Sequence, residues 1–480
     1  ATKVAFDNEG NTILIGQTQS TNLPVTGNAF QSEGGGTDNW DAFITKFLPT
    51  GDLLFSSYLG GASYEHITSV NVDNENNIIV AGTTQSSGLP TTTGALHETL
   101  IGGGDGFIFK IAPNGTILFG TYFGGSGEDW IYGMEQDDTG NYLFGGWTTS
   151  VGLATGGAYQ SYYAGGADAF VARLSADGST LQMFSYVGGV GDDRTWTMTV
   201  DSSFNYIISG VASAGFPVSD GAYQGSNHGG YDAFLTKITN SGDAMVFSTF
   251  LGGEKDDLGL GLDVDSHGDV FLAGDAESSN IDTYNAIQPV FAGGTNDFYA
   301  AKFNSSGYPY FVTYIGGNET DRCWDARIDA DDNLILIGRT SSLDFPAFNG
   351  LNDTKAAGFD ACVVKLSSDG QTLLASTFIG GGGEDIGEGI AVDPEGNIVV
   401  TGKTWSIDFP VTEGAYQDEK SGLSDVFVCH SPFASRSVTE TTTTSHNPPP
   451  FPGDDVSLPI AIASGILIIV ILSVMLTKKK

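Results

Sequence analysis

Residues 389–404 read GIAVDPEGNIVVTGKT: an apolar strand, a turn opened by Asp393, and a second apolar strand closed by Gly402. The same nine-residue interval from Asp to Gly occurs seven times, at Asp7/Gly16, Asp73/Gly82, Asp137/Gly146, Asp201/Gly210, Asp265/Gly274, Asp329/Gly338 and Asp393/Gly402. The first step between copies is 66 residues and every later step is 64. A long repeat of constant period means stacked supersecondary units rather than unrelated domains.

The fifth copy shows what one unit contains. LGLGLDVD at 258–265 reads as a first strand, SHGD as a tight turn and VFLAGD at 270–275 as a second strand. After a long connection, DFYAAKF at 297–303 is a third strand, NSSG a second turn and YFVTYIGG at 310–317 a fourth. Strands joined by such turns form antiparallel hairpins. NIIVAG at 77–82 lacks strict alternation, which predicts burial on both faces, as when sheets stack. Four antiparallel strands repeated seven times predict an all-β, seven-bladed β-propeller. A β-solenoid fits less well, because no coil explains three hairpin-like turns per unit. The Gly-rich first strand is expected innermost, where Cβ atoms crowd.

The chain resembles the SBBP-type β-propeller repeats of bacteria and archaea. The motifs that carry the resemblance are GGSGED (124–129), GIAVDPEGNIVVTGKT, SIDFPVTEGAYQ (406–417), GGADAFVARLSADG (165–178) and STFIGG (376–381). It spans about residues 1–432 and implies a seven-bladed, extracytoplasmic propeller with no defined activity. The blades are expected near 1–61, 62–125, 126–189, 190–253, 254–317, 318–381 and 382–432. The last departs from the pattern: after DVFVCH (425–430) the S-T-Y-x-G-G strand is missing. SRSVTET (435–441) or residues upstream of Ala1 would have to complete it.

Gly supplies 68 of 480 residues, about twice the usual ~7%. Its regular spacing marks turns and close packing rather than disorder. The formal net charge is −38, from 57 acidic and 19 basic residues. Such a surface excludes nucleic acid as a partner and favours cations. LPIAIASGILIIVILSVMLT at 458–477 is uncharged and, at ~1.5 Å per residue, long enough to span a ~30 Å hydrocarbon core as a transmembrane helix. Lys478, Lys479 and Lys480 follow it, which puts the N-terminal part outside the plasma membrane and the Lys tail (478–480) in the cytoplasm. Residues 433–457, rich in Thr and Pro, read as a stalk. Ala1 begins inside a repeat strand, so a leader is expected to have been removed or left out.

The long second-to-third connections and the fourth-to-first connections are expected on one face. The latter carry acids: Glu65, Glu128-Asp129, Asp192-Asp193, Asp256-Asp257, Asp321 and Glu384-Asp385. One reading is a carboxylate-lined mouth for Ca²⁺ or a cationic ligand. The other is that each carboxylate accepts backbone N–H groups and fixes its loop. Tyr159, Tyr162, Tyr163, Tyr223 and Tyr416 are aromatic candidates for stacking on sugars, or for burial under the loops. Asn114, Asn304, Asn318 and Asn352 are glycosylation candidates. Cys323, Cys362 and Cys429 are expected as buried free thiols.

No catalytic constellation is apparent, since the six His lie at unrelated repeat positions and no metal or nucleophile motif occurs. The expectation is a membrane-anchored surface propeller for recognition, adhesion or envelope structure, with a cell-surface protein or glycan as partner. The alternative is an extracellular glycan-binding or glycan-cleaving enzyme.

Overall fold

The structure is a computed structural model that describes residues 2–36 and 39–433 and, in addition, the backbone of Ile468–Leu472. The fifth unit forms strands Asp257–Val264, Val270–Ala276, Asp297–Phe303 and Pro309–Ile315, within two residues of the expected limits. They pair antiparallel in chain order. Seven such four-stranded sheets make the chain a seven-bladed β-propeller.

The repeated turn explains the first hairpin. Asp73 Oδ1 accepts the N–H of Glu75 and of Asn77, both at 2.9 Å, and Oδ2 accepts the Asn77 amide at 2.8 Å. The residue three after each turn Asp takes positive φ: Gly10, Asn76, Gly140, Phe204, Gly268, Asp332 and Gly396. Glycine reaches that region without strain and Asn or Asp tolerate it, which suits six of the seven positions; Phe204 takes it with a bulky side chain. A Lys on the third strand then reaches the same Asp. Lys110–Asp73, Lys237–Asp201 and Lys302–Asp265 close at 2.7–2.8 Å. Burial opposes ionisation of Asp201, but the Lys237 ammonium and the Asn205 amide outweigh it and hold its carboxyl below the ordinary value.

The described residues fall into two compact units, one up to Leu251 with four sheets and one from Gly252 with three. Within each, an apolar core fills the space between consecutive sheets. Ile79, Ile108 and Phe119 of the second blade meet Met134, Phe144 and Phe170 of the third. Phe271, Phe298 and Phe311 of the fifth meet Leu334, Leu336 and Val364 of the sixth. This stacking buries both faces, as the unalternating strands required. First strands of neighbouring blades run side by side: a Cβ on Gly133 would crowd Met198, and one on Gly261 would crowd Ala326. Tyr58, Tyr122, Tyr186 and Tyr314 on the fourth strands tie down the long connections. Tyr314 Oη accepts the Ile281 N–H and donates to the Ser278 carbonyl, both at 2.8 Å. Cys323, Cys362 and Cys429 are buried and free.

The fourth strand of the seventh sheet comes from within the 458–477 run. Ile468–Leu472 pairs antiparallel with Asp425–His430, from Val426↔Leu472 to His430↔Ile468, and is the fourth strand of that sheet. These five residues were expected inside a transmembrane helix. The sequence there, IIVIL, is mostly β-branched and suits a strand as well as an apolar helix. The edge of Asp425–His430 offers the unpaired N–H and C=O groups that such a segment satisfies. The rest of 458–477, the stalk at 434–457 and the Lys tail lie outside the described residues. Among the described residues no helix is long and apolar enough to cross a membrane.

Candidate functional site

The acids of the fourth-to-first connections divide into two kinds. Glu65, Asp129, Asp193, Asp257, Asp321 and Asp385 open first strands and are buried. Each folds back on its own loop, accepting the N–H of Gly61, Gly125, Gly189, Gly253, Gly317 or Gly381 at 2.6–2.9 Å. Donors from the end of the second strand complete the set. Asp129 takes the hydroxyls of Thr148 and Ser150, Asp321 those of Thr340 and Ser342, and Asp385 that of Ser406. Glu128 and Glu384 are exposed, and Asp192 and Asp256 half-buried. Asp192 accepts from Arg194 and from the Tyr231 hydroxyl, both at 3.4 Å.

A second column of acids escaped the sequence reading. Asp41, Asp105, Asp168, Asp232, Asp297, Asp360 and Asp425 open the third strands and are buried. They hold the ends of the long connections. Asp168 accepts the Ala164 N–H, Asp360 that of Ala356 and Asp297 that of Ala292, at 2.6–2.8 Å. Asp41, Asp105, Asp168, Asp297 and Asp360 also feel the first-strand acid of the next blade, Glu65, Asp129, Asp193, Asp321 and Asp385 respectively. A Cβ on Gly316 would stand 2.6 Å from Asp297 Oδ1 and 3.0 Å from Asp321 Oδ2, so the first Gly of the G-G motif is what lets the loop pass between two carboxylates. Burial pushes Asp297 up to about 8, with the Asp321 charge adding to it. Burial likewise raises Asp41, Asp168 and Asp360 to about 6, against their backbone donors and with help from Glu65, Asp193 and Asp385 respectively. The signal was present, as the D-A-F and D-G-F starts of the third strands.

Among the described residues, Asp265, His267 and Asp332 bring three ligand atoms within metal-binding distance of one another. None of the ten acids proposed from sequence belongs to that group. Its members have partners: Asp265 meets Lys302 at 2.7 Å, and Asp332 accepts the Ser266 hydroxyl at 2.8 Å. Of the loop tyrosines, Tyr162 is the most open at 66% exposure, while Tyr159, Tyr163 and Tyr223 are half-buried and Tyr416 is exposed. Asn114 and Asn318 are exposed; Asn304 and Asn352 are half-buried in turns.

The side chains best suited to bind something lie one residue beyond the buried acids. The cross-strand pairs there are His66↔Thr83, Trp130↔Trp147, Arg194↔Val211, Leu258↔Asp275, Arg322↔Arg339 and Ile386↔Lys403. Two residues further on, a β-bulge drops Thr68, Tyr132, Trp196, Leu260, Trp324 and Glu388 out of register. Bulges re-aim side chains and recur beside functional sites. The same bend brings the first-strand carbonyl against the Gly that closes the second strand. A Cβ on Gly146 would overlap the Trp130 carbonyl, and one on Gly338 that of Arg322.

These columns share one backbone and differ in residue, and they concentrate rare types. They hold three of the six arginines and four of the six tryptophans of the chain. In the first unit Trp130 stacks on Trp147 at 5.4 Å, and Arg194 lies 4.8 Å above the Trp147 ring. His66 sits edge-on to Trp130 and Tyr132 at 5.7 and 6.2 Å. Burial pushes the Tyr132 hydroxyl up to about 12. In the second unit Arg322 and Arg339 flank Trp324, each 5.3 Å from its ring centre. Half-buried aromatic and arginine side chains on a rigid scaffold are the usual anchors of recognition.

Comparison with known proteins bears on the fold. A stretch of 225 residues is 26% identical to the regulatory protein FlaEY of Caulobacter vibrioides, covering 43% of this chain and 23% of that protein. The chain thus spans under a quarter of the length of that relative. A catalytically inactive virginiamycin B lyase from Staphylococcus aureus, solved with quinupristin, is 11% identical with a TM-score of 0.42, over 84% of this chain and 91% of that one. A gluconolactonase from Xanthomonas campestris is 9% identical with a TM-score of 0.35, over 75% and 86%. At these levels no argument about activity follows. Residues 375–410 match the family model of the SBBP β-propeller repeat, as the resemblance of the repeated motifs implied.

Proposed function

We propose that this chain is a recognition propeller without catalytic activity, held at the outer face of a cell membrane, whose ligand is a glycan or a cell-surface protein. One observation carries the reading. The repeated carboxylates close loops, while the half-buried positions that vary between blades carry Trp, Tyr, His and Arg. A surface built for one ligand departs from the repeat symmetry in this way. The buried state of Asp297 weighs against acid catalysis there, although its pKa is raised. The half-buried or exposed Glu128, Asp192, Asp256 and Glu384 are the remaining candidates for Ca²⁺, and each loop needs further oxygens to reach the 6–8 that Ca²⁺ takes. Outward display is supported by the acidic charge of residues 1–457 and by the uncharged 458–477 run with its following lysines, whose residues 468–472 would leave the edge of the seventh sheet to enter a membrane.

The test is an array of glycans and surface proteins probed with the full chain in detergent, and with Trp130→Ala and Trp324→Ala. The reading predicts a ligand whose binding falls at least about tenfold (~1.4 kcal/mol) in both variants. A wild-type chain that retains nothing, or that hydrolyses a glycan it retains, overturns it.

A further inference from the structure

Among the described residues, one arginine of the second unit is touched by no carboxylate. Arg194, Arg322 and Arg327 meet carboxylates at 3.4, 2.7 and 3.3 Å, and Arg173 donates to the Asn240 carbonyl. Among the described residues Arg339 makes no ion pair and no hydrogen bond, and its Nε is buried without a partner. Its guanidinium carbon stands 4.2 Å from the centre of the Phe359 ring and 5.3 Å from that of Trp324.

Its neighbours make this more pointed. Arg339 lies directly across the strand pair from Arg322, and like charges placed opposite each other are destabilising. Asp275 acts on both arginines through its charge but touches only Arg322. One of its oxygens accepts Arg322 Nε and the other the Cys323 N–H, each at 2.7 Å. The equivalent position in the seventh blade is Lys403, which meets Glu388 from its own bulge at 2.8 Å. In the sixth blade the bulged residue is Trp324, so the acid that would neutralise the cation is replaced by a ring. Burial, with the Arg322 charge beside it, holds the Arg339 guanidinium below its ordinary pKa. In a chain of net charge −38 Arg339 is left without a contacting acid, and Glu384 and Asp275 act on it only from a distance.

We propose that Arg339, with Arg322, Trp324 and Phe359, binds the carboxylate of an acidic sugar, an assignment that rests on the recognition reading above. The guanidinium fork matches a carboxylate with two parallel N–H···O bonds. Stacking between the rings holds that fork in place, so little rotamer freedom remains to be lost on binding. The indole and phenyl faces supply apolar area for the carbon side of a pyranose. Glu384, close enough to act on Arg339 electrostatically, disfavours a dianion such as phosphate relative to a singly charged carboxylate.

The test is calorimetric titration of the full chain in detergent with a galacturonate oligosaccharide, its neutral methyl ester and inorganic phosphate. The acid form is expected to bind, the ester at least about tenfold more weakly (~1.4 kcal/mol), and phosphate not measurably. Arg339→Gln should abolish the preference for acid over ester while the melting temperature holds or rises, because a like-charge contact is removed. Arg339→Lys, which keeps the charge and loses the fork, should recover only part of it. Equal binding of acid and ester, unchanged binding by Arg339→Gln, or phosphate binding as tight as the sugar overturns the assignment. If the acid sugar fails while the array yields a ligand sensitive to Trp130→Ala, this inference falls and the recognition reading stands.

Discussion

The first residue of each first strand and the residue after it are neighbours in sequence and opposites in behaviour. At Glu65, Asp129, Asp193, Asp257, Asp321 and Asp385 the residue is always an acid, always buried and always bonded to its own loop. The next residue is His66, Trp130, Arg194, Leu258, Arg322 or Ile386, always half-buried and chemically different from blade to blade. Adjacent residues of a strand face opposite ways. One face of the strand therefore repeats because every blade needs the same loop closed. The other is free to diverge, since the backbone hydrogen bonds of the pair do not depend on its side chains. Divergence within a structural repeat marks where selection acts on something besides the fold.

The comparison breaks most visibly if an invariant acid is removed. Asp129→Ala leaves the Gly125 N–H and the hydroxyls of Thr148 and Ser150 without their acceptor in a buried site. At about 1–3 kcal/mol for each stranded donor, it should destabilise by about 3 kcal/mol or more, read as a fall in the thermal or urea midpoint. A fall of under about 0.5 kcal/mol, the scale of a neutral surface change, would mean that the loop does not need its acid.

A smaller effect with a definite sign comes from Asp297, whose folded pKa of about 8 lies above the ordinary 3.8. The folded chain keeps a proton that the unfolded chain releases, so this contribution to stability is full below pH 3.8 and is lost as pH rises through about 8. Asp41, Asp168 and Asp360 act the same way up to about pH 6. The turn acids Asp73, Asp201 and Asp265, held down by their lysines, act oppositely and lose their contribution as pH falls below the ordinary value. Asp297→Asn should therefore flatten the decline of melting temperature between pH 5 and pH 9. The gain at pH 9 should be about 2–6 kcal/mol, the upper end following from ~1.4 kcal/mol per pKa unit. A decline as steep in the variant as in the parent would place the titration elsewhere.

Much of the architecture was legible because the features that specify it are local and repeated. The Asp turn with its positive-φ residue, the G-G loop and the apolar strands each recur every 64 residues after the first step. Strand limits in the fifth blade follow to within two residues. The third-strand acids were not assigned, because their partners lie in loops whose path only the folded connection reveals. The fourth strand of the last blade is not legible from hydropathy, which measures transfer into an apolar phase and is blind to an open sheet edge. Residues 468–472, IIVIL, satisfy both demands. The variable pairs were passed over for a different reason. Reading a repeat means looking for what recurs, and the site candidates at Trp130, Trp147, Arg322 and Arg339 are what does not.

The direct test of that division is to measure ligand binding and melting temperature on the same preparations of two sets of variants. One set is Trp130→Ala, Trp324→Ala and Arg339→Gln, and the other is Asp129→Ala, Asp257→Ala and Asp385→Ala. The account predicts that the first set loses binding by at least about tenfold (~1.4 kcal/mol) with melting shifted little, and that the second set melts lower while its folded fraction binds like the parent. Variants of the first set that melt as low as those of the second and bind as well as the parent would contradict it.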